Sequence, residues 1–222
     1  MAKKGIGAWG NLDEAERDRL LDLASTVILS IAVVLTAFSA WESTLWNGEQ
    51  AEAYARASSA RTESNAALIE ASNQKTYDST TFANGIVELF RGDQAASDFF
   101  RQKLFREEFR PALEAWLALD PKNNPDAPES PFVLPEYKNA KEEESKALTE
   151  QAEVELRYGD QANNYGDNYV LATVFFAAVI FFTGIVTKFK SESIRFASLA
   201  MASIALLGAT GFMLTLPRLF HT

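Results

Sequence analysis

The chain has 222 residues, 47% hydrophobic and 23% charged, with a formal net charge of -9 and no cysteine. The missing thiols exclude disulfides, thiolate metal sites and cysteine nucleophiles, and an acidic balance argues against nucleic acid as a partner. A mean hydropathy of -0.11 averages three very apolar runs against a polar middle and describes neither.

A helix crosses roughly 30 Å of hydrocarbon with about 20 mostly apolar residues. Three runs meet that length: residues 20–41, 169–189 and 196–216. The pattern predicts an all-α integral membrane protein with three transmembrane helices and a large helical insertion between the first and second. Residues 42–168 carry 24 acidic and 13 basic side chains, a net of -11, whereas the rest of the chain nets +2. The acidity therefore belongs to the insertion.

Residues 1–19 precede the first span and hold Lys3, Lys4, Arg17 and Arg19. Residues 190–195 form a tight turn before the third, crowded by Lys188, Lys190 and Arg195. Short basic segments stay in the cytoplasm. This predicts a cytoplasmic N-terminus and turn, an extracytoplasmic domain over 42–168, and an extracytoplasmic tail over 217–222. Arg218 and His221 fall in that tail, His221 as a solvated residue. Ala37-Phe38-Ser39 offers a signal-peptidase spacing. The long apolar run and its mixed-charge leader favour an uncleaved anchor.

From Glu42 to Thr76 there is no proline and a single glycine, Gly48. Trp46, Ala53, Ala57, Ala60, Ala67, Leu68 and Ala71 recur at three-to-four spacing, predicting a helix with a small apolar seam. A second amphipathic section follows, with Phe82, Ile86, Leu89 and Phe90 as a stripe. Gly92 suits a helix C-terminus and Asp93 an N-cap, so Arg91-Gly92-Asp93 reads as a turn rather than an adhesion tripeptide. Phe100, Leu104, Phe105, Phe109, Leu113, Trp116 and Leu117 continue at helical spacing, with Pro111 starting or kinking a helix. Residues 120–135 hold five prolines and predict an extended loop. Residues 135–167 read as a helix returning to the second span, its charged face supported by pairs at four-residue spacing. Gly159 and Gly166 read as weak points in it. The outer domain is thus expected to be an antiparallel helical hairpin carrying shorter helices.

Trp41, Trp46 and Tyr169 are placed at the outer ends of the first two spans, and Lys188, Lys190 and Arg195 at the inner end, as membrane-interface anchors. Ser25, Thr26, Ser30, Thr36 and Ser39 decorate the first span. Ser198, Ala202, Ala205, Gly208 and Ala209 line the third as a helix-packing face, because small residues let helices touch and hydroxyls bond across the contact. Glu49, Glu52, Asp160 and Asp167 gather at the outer boundary as a candidate cation-attracting vestibule. No ionisable residue lies deep in a span, Asp22 coming nearest. Carboxylate pairs such as Glu107-Glu108 fall on a charged helix face. No catalytic motif and no cofactor is read from the chain.

Residues 40–50 (AWESTLWNGEQ), 109–116 (FRPALEAW) and 167–173 (DNYVLAT) resemble an uncharacterised family of bacterial three-span inner-membrane proteins with an extracytoplasmic helical domain. The resemblance covers nearly the whole chain and implies an inner-membrane setting, but brings no activity, cofactor or functional residue. The expected role is a non-enzymatic assembly, scaffold or accessory protein, partnered by the lipid bilayer and by further copies or another membrane protein. Two alternatives stand beside it: an oligomeric cation channel with an acidic outer vestibule, and an extracytoplasmic sensor.

Overall fold

The computed structural model describes residues 13–219, and the readings of Lys3, Lys4 and His221 lie outside them. The described residues form helices, turns and loops, with no strand among them. In chain order these are α1 (Glu14–Arg91), α2 (Gln94–Phe99), a π-helical turn (Phe100–Leu104), α3 (Arg110–Leu117), a 3-10 turn (Pro131–Val133), α4 (Ala140–Val186) and α5 (Glu192–Leu214). α1, α4 and α5 are long and apolar enough to cross a membrane. The second and third expected spans shift slightly: α4 ends at Val186 and α5 begins at Glu192, so Arg195 belongs to a helix and not to the turn.

α1 opens with a reciprocal cap. Asp13 Oδ1 accepts from the Glu16 N–H at 2.7 Å and Glu16 Oε2 from the Asp13 N–H at 3.1 Å, filling two donors that a helix start leaves open. It ends at Gly92, whose φ of 83° suits glycine. There the Asp93 N–H reaches the Glu88 carbonyl and the Gly92 N–H the Leu89 carbonyl. Asp93 then caps α2 through the Ala96 N–H at 3.0 Å. The chain divides into two units, Met1–Tyr54 with Leu156–Thr222 and Ala55–Glu155, and α1 and α4 contribute to both.

In the first unit, three helices pack side by side. Buried or half-buried positions of α1 alternate in steps of four and three: Leu21, Ser25, Ile28, Ala32, Leu35, Ser39, Glu42 and Trp46. That is the heptad seam of helices wound about one another. Ser39 meets Met213 and Asp22 meets Arg195, so α1 and α5 run parallel. Tyr169 reaches Pro217 and Phe175 packs on Phe212, so α4 runs against them. Trp46, Ala162, Tyr169, Ala172, Phe176, Ala209 and Met213 form one core cluster, and Ala32, Val179 and Ala202 another. Large apolar side chains also face away from the bundle, with Ile204 71% and Leu207 74% exposed.

In the second unit, the α1 seam continues the same alternation through Ala57, Ala60, Ser64, Ala67, Ala71, Gln74 and Asp78. Contacts Arg56–Glu155, Ser64–Ser145 and Ala71–Asn139 pair it antiparallel with α4. Alanine on the seam lets the backbones approach closely. Three hydroxyls interrupt it: Ser64 Oγ lies 3.0 Å from Ser145 Oγ and 2.8 Å from Thr149 Oγ1. Asn139 caps α4 with its carbonyl oxygen while its amide donates to Ala71 O.

Above this pair sits an aromatic core of Phe105, Phe109, Leu113 and Trp116, joined by Phe82, Ile86, Phe100 and Phe132. Edge-to-face contacts link Phe82 to Phe109, Trp116 and Phe132. The expected helical run through Phe100–Leu117 is broken here. Phe105 adopts an extended ψ of 130°, which brings both Phe105 and Phe109 into the core. Glu107 and Glu108 consequently lie on a turn, not a helix face. Pro111 starts α3 and does not kink it. The proline-rich loop is tied down by Trp116 Nε1–H donating to Pro128 O at 2.7 Å.

Candidate functional site

Polar groups of the described residues gather at both ends of the three-helix bundle, among the boundary acids, and in the second unit around Asp78 and Ser64. At one end of the three-helix bundle, Arg195 of α5 is buried and donates to two carboxylates one turn apart on α1. Nη1 bonds Asp18 and Nη2 lies 2.6 Å from Asp22 Oδ1. Arg17 faces Glu192 at 3.6 Å alongside. Arg195, expected as an anchor reaching for headgroups, is instead an interhelical tie. Burying its long stem leaves its charge needing partners, and the (i, i+4) pair Asp18–Asp22 supplies them. Lys188 and Lys190 are exposed beyond Val186.

At the other end, the segment after α5, residues 215–219, lies across the helix ends. The Pro217 carbonyl accepts from Trp46 Nε1–H at 3.2 Å and from the Tyr169 hydroxyl at 3.0 Å. The Leu219 N–H donates to Glu42 Oε2 at 3.2 Å. Glu42 is fully buried and its Oε1 has no hydrogen-bond partner. Arg218 sits over the Phe38 ring, 5.8 Å from its centroid. Trp46 and Tyr169 are thus core residues with inward-aimed polar tips, whereas Trp41 is 43% exposed.

The boundary acids bond within their own chain. Tyr54 Oη–H donates to Asp160 Oδ1 at 2.7 Å, the Tyr158 hydroxyl to Glu49 Oε2 at 3.1 Å, and Asn163 to Asp167 at 3.2 Å. Its hydrogen bond to Asp160 raises the Tyr54 hydroxyl above its usual range. Glu52 is exposed on the next turn of α1 and engaged in an interaction of its own. Gly166 and Gly159, read from sequence as weak points, are close-approach positions. A Cβ on Gly159 would lie 2.5 Å from the Tyr54 ring, and one on Gly166 2.7 Å from Asn47 Oδ1. Comparisons with protein-family models, with curated proteins and with solved structures found no match to this chain.

Of the third-span residues, Ser198, Ala202 and Ala209 are buried within the bundle. Ala205 and Gly208 instead border an open groove of about 260 Å³, which Phe175, Ala178 and the edge of Ala209 also line. The hydroxyls of the first span mostly turn back on their own helix: Thr26, Ser30 and Thr36 each donate to the carbonyl four residues earlier. Ser39 alone of these hydroxyls bonds to another helix, at 3.5 Å to Met213 Sδ.

In the second unit, Asp78 is fully buried at a seam position of α1. Arg106 grips both of its oxygens, the Tyr137 hydroxyl donates to Oδ2 at 3.1 Å, and Arg106 also reaches Gln74 and Glu108. Burial, reinforced by the Asp78 charge, pushes the Tyr137 hydroxyl up to about 12. The cluster ties three separate stretches of chain and every carboxylate oxygen of Asp78 is bonded. Among the described residues no group of three or more His, Asp or Glu is placed to hold a metal.

Proposed function

We propose that this chain is a non-enzymatic integral protein of the bacterial inner membrane that works by assembling, as a homo-oligomer or as an accessory subunit of another membrane protein. Its N-terminus and the turn around 188–190 lie in the cytoplasm, and residues 42–168 lie outside. Basic residues at that end, and the aromatic and acidic residues at the other, support this orientation.

The open groove along α4 and α5 carries the reading. Its walls are almost wholly apolar, and a Cβ on Gly208 would meet nothing within 4 Å. Small residues on a span favour close approach of another helix, where packing and not water drives association. Blue-native electrophoresis and crosslinking of the full chain in mild detergent test the proposal. The expected result is a discrete oligomer that Gly208→Trp reduces to monomer. A chain that is monomeric in lipid and detergent alike, and that crosslinks to no membrane protein in cells, overturns it.

The cation-channel alternative draws on Glu49, Glu52, Asp160 and Asp167 ringing an axis in several copies. Three of these acids accept hydrogen bonds inside the protomer, which favours a structural role. Planar-bilayer recording of the purified oligomer separates the two readings.

A further inference from the structure

Among the described residues, Glu42 is the one carboxylate of the three-helix unit that is wholly removed from water with an unpartnered oxygen. An ion in that position is costly unless it is paired and hydrogen-bonded. Its support comes from a single direction, the 215–219 segment, which brings the Leu219 N–H to Oε2. The same segment carries Arg218. From α4, Tyr169 faces the group, its hydroxyl committed to Pro217 O, and both Glu42 and Arg218 act on it electrostatically. On α1 the buried positions flanking it are Ser39, Ser43 and Trp46, and Ser39 in turn contacts Met213 of α5; none of them is charged.

We infer that Glu42 is a proton-binding site whose loading releases the 215–219 segment from the end of the bundle. The ionised carboxylate holds the segment by a charge-assisted hydrogen bond from the Leu219 N–H. A proton taken from the aqueous side onto Oε1 removes the negative charge and weakens that bond. Proton binding and release of the segment therefore favour one another, since coupling between two events is reciprocal. A metal cation does not fit as well. Hard cations require several oxygen ligands, and the Pro217 carbonyl of the same segment already accepts two hydrogen bonds.

The chain contains no cysteine, so one introduced thiol reports on the segment. Leu216→Cys, half-buried against the core cluster, is labelled with maleimide in the full chain in lipid nanodiscs from acid to alkaline pH. Each rate is normalised to Val133→Cys, which is 71% exposed in the other unit. The expected normalised rate rises about tenfold toward acid, the factor set by losing one charge-assisted hydrogen bond. In the Glu42→Gln background it is high and independent of pH. A normalised rate that is flat with pH in the parent chain, or that titrates equally with Glu42→Gln, overturns the inference.

Discussion

Arg106 and Asp78 form a two-pronged ion pair, with Nε 3.0 Å from Oδ1 and Nη2 2.9 Å from Oδ2. It is the only link in the second unit that fastens α1 directly to the turn entering α3 by charge, among the described residues. Asp78 is wholly buried and Arg106 retains 20% side-chain exposure. Removing either partner strands the other. Asp78→Ala or Arg106→Ala is expected to cost about 3 kcal/mol, the lower end for breaking a buried pair because one edge is wet. Denaturant unfolding of the full chain in detergent, followed by fluorescence of Trp116, measures it.

The Tyr137 hydroxyl, raised to about 12 from an ordinary 10, makes stability fall in alkali. Between those values the unfolded tyrosine loses its proton while the folded one keeps it. The folded state then binds more protons, so stability is full below pH 10 and declines as pH rises toward 12. Tyr137→Phe is expected to lower stability at neutral pH, by the loss of one hydrogen bond to a carboxylate, yet to flatten that alkaline decline. Unfolding curves across the range give both readings.

Two glycines on helices are expected to respond in opposite directions to alanine. At Gly48 a Cβ meets nothing within 4 Å, so Gly48→Ala stabilises by about 1 kcal/mol through helix propensity alone. At Gly159 the Cβ would lie 2.5 Å from Tyr54. There the gain is outweighed, for a net loss of about 1–2 kcal/mol from overpacking, with rupture of the Tyr54–Asp160 bond. Thermal unfolding of the two variants side by side checks the sign of each.

At Arg195 the two acids back one another up. Asp18→Asn or Asp22→Asn alone is expected to cost under about 1 kcal/mol, because each carboxylate is largely solvated. The double variant leaves a buried guanidinium with no counter-charge, and its cost, about 2 kcal/mol or more, exceeds the sum of the singles. A double-mutant cycle measures that excess. Additive losses would show that Arg195 is held by packing alone.

The hydrophobic runs and their helical extensions were legible because length and periodicity are written in the chain itself. Where α1 would stop was less so. Thr76, Ser79, Thr80 and Thr81 look like a break after Thr76, yet each hydroxyl donates to the carbonyl four residues back and the helix continues to Arg91. Glu42 reads as the first charge outside a span. Its place on the four-three seam between Ser39 and Trp46 was the signal that it faces inward. The same seam marks Asp78. Its partners Arg106 and Tyr137 come from irregular segments, whose approach depends on Phe105 turning the chain and on a proline loop folding back. No spacing rule encodes that.

The hydroxyl cluster of Ser64, Ser145 and Thr149 has a consequence for how this domain can change length. Adding one residue to α1 between Ala57 and Asp78 would rotate everything beyond it by about 100°. Alanines would then face water, and the three hydroxyls would lose their match. Only a whole heptad, inserted at matching heights in both helices, preserves the seam. The reach of the paired helices is therefore quantised in steps of about 10 Å, and relatives of different length should differ by sevens.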